Sequence, residues 1–128
     1  MGETRVIEDQ IPEFVLTYWL GTDFDKSVQI FTDEDCLLGY DFTYHGGDVR
    51  FKLENEYKKS VLSFSTANNS LYLGSTGIVR MFRRLENMPA LEAREYRGDC
   101  RVRDLSNSKK VMICRIILVV KNNANAKG

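Results

Sequence analysis

The chain has 128 residues, of which 43% are hydrophobic, and this is enough to bury the core of one globular domain. Lysine plus arginine equals aspartate plus glutamate at 18 each, and the resulting net charge of zero argues against nucleic-acid or membrane-surface binding by bulk positive charge. No apolar run approaches the roughly 18 residues of a membrane span, and the charged start lacks a secretory signal. We therefore expect a soluble protein that is made in a cytoplasm.

Short segments of alternating apolar and polar residues follow one another along almost the whole chain. Alternation with a period of two is typical of half-buried strands, and the turn signals between the segments are closely spaced. About eight short strands of this kind predict an all-β fold, an antiparallel β-sandwich of the Ig-like type. The predicted strands lie in residues 13–20, 25–32, 49–53, 60–64, 70–73, 77–84, 96–104 and 111–120.

One stretch near residues 85–95 favours helix. Good helix-forming residues follow Pro89, which suits a first helical turn, so a short helical linker is expected between two strands. The polar, small residues 122–128 predict a frayed C-terminal tail. The predicted organisation is an N-terminal arm at 1–12, a sandwich domain at 13–121 and a flexible tail at 122–128.

The alternation also predicts which side chains face the core. In 49–53, for example, Phe51 and Leu53 share one face, and Arg50 and Lys52 share the other. The predicted core residues from these strands are Phe51, Leu53, Leu62, Phe64, Leu71, Leu73, Tyr96, Cys100 and Val102.

The segment 111–120 is the most apolar part of the chain, on both of its faces. Met112, Cys114, Ile116, Leu118 and Val120 form one face and are predicted to line the core. A strand with one solvated side carries polar residues on its second face, yet here that face is apolar except for one arginine. Either the N-terminal arm or the helical linker covers it, or a neighbouring protein does. The predicted protein-protein interface on this second face consists of Ile113, Arg115, Ile117 and Val119.

The sequence contains no recognisable catalytic, metal or cofactor site. Cys36, Cys100 and Cys114 are widely spaced, and only His45 could join them as a nitrogen ligand, so they are predicted to be small buried hydrophobic residues. The acidic cluster 33–35 lacks the spaced oxygen ligands of a calcium loop. No nucleophile lies in a motif with a base, so we expect a protein that is not an enzyme.

Two tripeptides resemble binding or modification motifs. Arg97-Gly98-Asp99 matches an integrin-binding sequence, but it lies inside a predicted strand instead of at a loop tip. Asn68-Asn69-Ser70 matches a glycosylation sequon, but asparagine also suits the tight turn of the hairpin expected there.

The order of the segments resembles that of small tailed-bacteriophage virion structural proteins that share the fold of the N-terminal domain of the baseplate protein BppU. The resemblance covers roughly residues 13–121, and the order of the motifs carries it more than any single motif. The chain departs from the pattern by having Cys36 in the acidic turn and a longer link before Arg50. The matching positions are Gly21-Thr22-Asp23, the turn at 33–35, Leu37-Leu38-Gly39-Tyr40, Arg50, Phe64-Ser65-Thr66, Gly77-Ile78, Met88-Pro89-Ala90, Tyr96 to Val102 and Val111 to Val120.

This resemblance implies a virion structural protein, a docking or adaptor module of the tail or baseplate that is located in the phage particle. It implies other virion proteins as partners and several copies, or a homo-oligomer, in the particle. From the net charge and the absence of binding motifs we expect no cofactor, no nucleic-acid partner and no membrane. A capsid decoration protein remains an alternative position, on the capsid surface.

A carbohydrate-binding sandwich remains an alternative of a different class. Trp19 and the six tyrosines could form a platform for sugar rings, because aromatic faces suit the apolar faces of sugars. Most of these aromatic residues fall within predicted strands, which favours their use in the core.

Overall fold

The computed structural model describes residues 11–32, 39–53 and 60–122. Most of the predicted N-terminal arm and tail, the acidic turn at 33–35 and Cys36 lie outside these residues. The regular structure of the described chain is nearly all β, with 58% of residues in strands and 6% helical, which confirms the predicted fold class. The strands are β1 (Glu13–Trp19), β2 (Phe24–Gln29), β3 (His45–Lys52), β4 (Leu62–Ser65), β5 (Leu71–Leu73), β6 (Ile78–Arg83), β7 (Glu95–Asp104) and β8 (Lys110–Lys121).

These eight strands form two sheets. One sheet has five strands in the order β1-β8-β7-β3-β4, and the other has three in the order β2-β6-β5. Aromatic side chains join the two sheets: the ring of Phe24 in β2 lies 5.1 Å from that of Tyr18 in β1 and 4.8 Å from that of Phe64 in β4. The core therefore lies between the sheets, as in a sandwich.

One strand pair departs from the predicted antiparallel pattern. All other pairs are antiparallel, but β1 runs parallel to β8, with Val15 opposite Ile117 and Thr17 opposite Val119. A short hairpin can join only antiparallel neighbours, and these two strands are separated by most of the chain, so no turn fixes their direction. The alternation of apolar and polar residues within a strand does not indicate whether the strand runs parallel or antiparallel to its neighbour.

The predicted core is largely confirmed. Leu53, directly after β3, and Leu73, at the end of β5, are half-buried and pack against the core. Among the described residues no charged or polar side chain is buried. The predicted core residues that are fully buried are Phe51, Leu62, Phe64, Leu71, Tyr96, Cys100 and Val102.

The expected helical linker is shorter than predicted. A single 3-10 turn spans Leu85–Asn87, and no helix follows between Met88 and the start of β7. Pro89 does not open a helix. Met88, at φ −83° and ψ 138°, has the extended conformation that a following proline favours, and this ends the 3-10 turn.

A tight turn forms between β4 and β5, where the asparagines predicted one, but the predicted hairpin is wrong: β4 belongs to the five-stranded sheet and β5 to the three-stranded sheet, so the turn carries the chain from one sheet to the other. Asn69 has φ 65° and ψ 17°, the left-handed conformation that asparagine tolerates. A 3-10 turn at Thr66–Asn68 precedes it, and the Ser65 hydroxyl accepts a hydrogen bond from the Ala67 N–H at 3.0 Å. The sequon at this place is part of a turn.

Candidate protein-protein interface

A bulge in β8 changes the predicted interface. Cys100 of β7 lies opposite Cys114, but the next residue, Arg101, lies opposite Met112, so Ile113 is an additional residue in β8. In a bulge of this kind two successive side chains lie on the same side of the sheet. Accordingly Ile113 and Cys114 are both buried, and Ile113 is only 1% exposed. The prediction that Ile113 lies on the outer face is therefore wrong.

The bulge also reverses the two residues that precede it. Val111 lies opposite the buried Val102 and packs against the core, although the alternation placed it on the outer face. Met112 lies opposite the exposed Arg101 and is not part of the core cluster, although it was predicted to line the core. One inserted residue shifts the alternation, and each side chain before it changes face.

Beyond the bulge, Arg115, Ile117 and Val119 lie on the outer face of the five-stranded sheet as predicted. Arg115 is exposed, and Ile117 and Val119 are half-buried. Their neighbours in β1, Val15 and Thr17, face the same way.

Two exposed side chains of β1 extend this surface and were not predicted as part of it. Val15, opposite Ile117, is 63% exposed. Trp19, four residues further along β1 and on the same face, is 44% exposed. Lys121 lies opposite Trp19, with its Nζ 5.7 Å from the centre of the indole ring. We call Val15, Trp19, Ile117 and Val119 the apolar stripe. The signal for it in the sequence is that β1, like β8, carries large apolar residues on its outer face, where Val15 and Trp19 alternate with Glu13 and Thr17.

Charged side chains border the apolar stripe on the side of β7 and β3. Arg115 lies between Glu13 and Asp99 in neighbouring strands, and the next strand places Arg50 beside Asp99. Asp99 is also 3.6 Å from Arg101. These charges are mixed in sign, so this part of the outer face offers polar and ionic contacts around an apolar centre, as the rim of an interface does.

The sequence also allowed the N-terminal arm or the linker before β7 to cover the outer face of β8. Only part of these two segments lies in the described residues. The linker before β7 does not supply this cover, since its apolar side chains Met88 and Leu91 pack against the core. At the start of β1, Pro12 accepts a backbone hydrogen bond from Arg115 at 2.9 Å. The rest of the N-terminal arm lies outside the described residues.

His45 takes part in an aromatic cluster and not in a triad. Its ring stands edge-on to the rings of Tyr40 and Phe42, at 5.9 and 6.1 Å between centres, and its Nδ1 lies 3.0 Å from the Thr43 carbonyl oxygen. These contacts account for a histidine at the start of β3 without any catalytic partner.

The Arg97-Gly98-Asp99 sequence lies in the middle of β7, paired on both sides by β3 and β8. Gly98 is buried, and a Cβ atom there would lie 2.6 Å from the ring of Phe51, its partner in β3. A tripeptide held in the interior of a sheet cannot enter a receptor groove as a loop tip does, so this motif is part of the fold.

Cys100 and Cys114 are buried free thiols on neighbouring strands, in agreement with the prediction for them. A hydrogen bond with the Cys114 thiol, and then burial, raise the pKa of Cys100 well above its ordinary value. Both effects favour the protonated thiol over the reactive thiolate.

This raised pKa predicts a loss of stability at alkaline pH. The unfolded chain gives up the Cys100 proton above about pH 8.5, before the folded chain does. The stabilising contribution is therefore fully present below that pH and is lost as the pH rises towards the native pKa. Urea unfolding at pH 7 and pH 10 measures the loss, and Cys100→Ala should show a smaller difference between the two. An equal difference in both proteins would contradict this assignment.

Among the described residues, no group of three or more histidine, cysteine, aspartate or glutamate side chains is placed to hold a metal ion. No helix in the same part of the chain is long and apolar enough to cross a membrane. Comparison with known protein families gives no match for this chain, and comparison with curated proteins gives none either. The apolar stripe is thus the feature from which a function can be argued.

Proposed function

We propose that this chain is a bacteriophage virion structural protein, a docking or adaptor module of the tail or baseplate that assembles with other virion proteins. The proposal gives the protein a binding role and no catalytic one, and it locates the protein in the particle. Its first support is the order of sequence motifs shared with the phage proteins named above. An all-β sandwich is compatible with that resemblance.

The observation that carries the proposal is the apolar stripe. Val15 and Trp19 expose large apolar surface next to Ile117 and Val119, and charged residues border them. A contiguous apolar patch with a polar border marks an interaction surface more often than isolated exposed residues do. Near-continuous apolar strands such as β1 and β8 are typical of strands that are covered on both faces. A neighbouring protein in a particle would supply that cover.

The variant Ile117→Asp tests the proposal. Ile117 is half-buried on the outer face, so the variant should still fold, but an aspartate would place a charge in the centre of the stripe. We expect incorporation into virions to fall by about tenfold or more when the variant complements a phage that lacks the gene. The matched control is Tyr72→Asp on β5 of the other sheet, where the side chain is 62% exposed.

Two results would contradict the proposal. The first is an Ile117→Asp protein that folds, as judged by its circular dichroism, and enters virions at the normal level. The second is a metabolic operon around the gene, where the proposal expects genes for portal, tail-tube or fibre proteins.

A capsid decoration protein is the alternative position in the particle. The same stripe would then face the capsid shell. Light scattering and capsid-binding measurements distinguish the two positions, since a tail module is expected as a symmetric oligomer in solution, and a decoration protein as a monomer that binds only assembled capsids.

Carbohydrate binding is a second candidate function because of the exposure of Trp19. Its indole ring is open to solvent beside a lysine, and this arrangement could stack on a sugar. Among the described residues, the other exposed aromatic side chains are Tyr44 before β3 and Tyr72 on β5, which lie elsewhere and do not form a common platform with it. A glycan array with hits that Trp19→Ala abolishes would favour this function over docking, and an array with no hits would eliminate it.

A further inference from the structure

Strand β1 is an edge strand, and no described residue pairs with its open side. On its other side, Pro12 accepts a hydrogen bond from the Arg115 N–H, and the Leu20 N–H donates to Lys121. Backbone groups in a strand alternate in direction, so the even-numbered residues of β1 bond to β8. The N–H and C=O groups of the odd-numbered residues, Val15 and Thr17 among them, therefore point to the open edge.

This edge lacks the features with which proteins usually prevent strand addition. No proline, lysine or bulge interrupts β1, and its outward side chains at the centre are Val15 and Thr17. The strand is seven residues long, enough for several rungs. At its end, the Thr22 hydroxyl donates a 2.7 Å hydrogen bond to the Trp19 carbonyl, whose oxygen can accept a second one.

We propose that β1 pairs antiparallel with β1 of a second copy of this chain, around a two-fold axis at Leu16. Val15 of one copy then lies opposite Thr17 of the other, and both are edge-facing residues, as the hydrogen-bonded pairs of an antiparallel ladder must be. The two five-stranded sheets become one continuous sheet of ten strands. The interface is isologous, as in most homodimers.

Opposite charges at the two ends of β1 favour this register, and they favour a second copy of the chain as the partner at the open edge. With the axis at Leu16, Glu13 of one copy lies beside Trp19 of the other. The Lys121 ammonium of that other copy stands over the same indole ring, within reach of the Glu13 carboxylate. The two-fold axis repeats this ion pair, so each end of the new ladder is closed by opposite charges.

Within one chain the same two charges cannot meet. Glu13 lies opposite Arg115 at one end of the β1–β8 pair, and Lys121 lies opposite Trp19 at the other end. Six residues of strand separate the two ends, about 20 Å at 3.3 Å per residue. Any coupling between Glu13 and Lys121 must therefore arise between two copies.

A charge exchange tests the proposed dimer on the full chain. Sedimentation equilibrium of the unmodified protein should give twice the mass of one chain. The single variants Glu13→Lys and Lys121→Glu should each weaken dimerisation by about tenfold, because each turns two attractive pairs into repulsive ones. The double variant should recover most of the lost affinity. Recovery cannot come from within a monomer, so it identifies the contact between copies.

A second pair of variants controls for a general effect of surface charge. Val15→Lys, in the centre of the ladder, should abolish the dimer, and Tyr72→Lys on the other sheet should leave it intact, although the two side chains are equally exposed at 63% and 62%.

The pairing needs no other protein, so its outcome is separate from that of the proposed virion role. A monomeric unmodified chain, as expected if another segment or a different partner occupies the β1 edge, would overturn the proposal. A dimer unaffected by Val15→Lys, or a double variant as weak as the singles, would do so as well.

Discussion

Replacing Phe64 with alanine is expected to lower the free energy of unfolding by about 3–5 kcal/mol. Phe64 is fully buried and lies between the two sheets, with its ring 4.8 Å from that of Phe24 in β2 and 6.2 Å from that of Phe51 in β3. The Arg83 guanidinium also lies 5.6 Å from the centre of this ring. The substitution removes contacts on both sides of the core and leaves a cavity that neighbouring rings cannot fill.

Chemical denaturation of the purified variant measures this loss. Tyr72→Ala is a suitable control, because Tyr72 is an exposed strand residue outside the apolar stripe and its truncation should change stability by about 0.5 kcal/mol or less. A loss below about 1 kcal/mol for Phe64→Ala would mean that the side chain does not lie in the core, and that the assignment of faces in β4 is wrong.

Gly77→Ala is expected to lower the free energy of unfolding by a similar amount, at least about 3 kcal/mol, but for a different reason. Gly77 has φ +92°, a conformation that residues with a Cβ rarely adopt. The added Cβ would also lie 2.2 Å from the Ile30 carbonyl oxygen and 2.9 Å from the Tyr40 nitrogen. Both are backbone atoms, so the clash can be relieved only by moving the chain, and this would disturb the 2.8 Å hydrogen bond from the Ile30 N–H to Gly77.

Gly21→Ala is the matched control for the conformational part of this effect. Gly21 has φ +88°, but no atom lies within 4 Å of the position of its Cβ. Its substitution should therefore cost only the backbone strain, about 1–2 kcal/mol. Thermal or urea unfolding of both variants measures the difference. Equal losses at the two sites would show that the close contact at Gly77 is relieved without cost.

Most of the fold could be predicted from the sequence because most strands have one apolar face and one polar face. In β3 and β7, apolar residues alternate with arginine, lysine or aspartate, so the inward positions of Phe51, Cys100 and Val102 follow directly. The direction of β1 relative to β8 could not be predicted. It depends on contacts between distant parts of the chain, and the apolar pattern of each strand is the same in either direction.

The candidate site was predicted only in part. Ile117 and Val119 are on the outer face because they follow regular alternation, and Ile113 is not, because the bulge adds one residue. A bulge in an entirely apolar segment has no signature in the sequence: every residue of Val111–Cys114 is acceptable on either face. Val15 and Trp19 could have been found, since both are large apolar residues on the outer face of β1, but their position beside β8 required the pairing of the two strands.

The place of β8 in the sheet has a consequence for biosynthesis. β8 lies between β1 and β7, so β1, although made first among the described strands, has no backbone partner in its sheet until β8 leaves the ribosome. During that interval the apolar side chains of β1 are open to aggregation and to chaperones. Closing the sheet joins segments that are far apart in the chain, which makes folding slow. A nascent chain stalled before β8 should therefore be sensitive to protease throughout β1, and release of β8 should protect it.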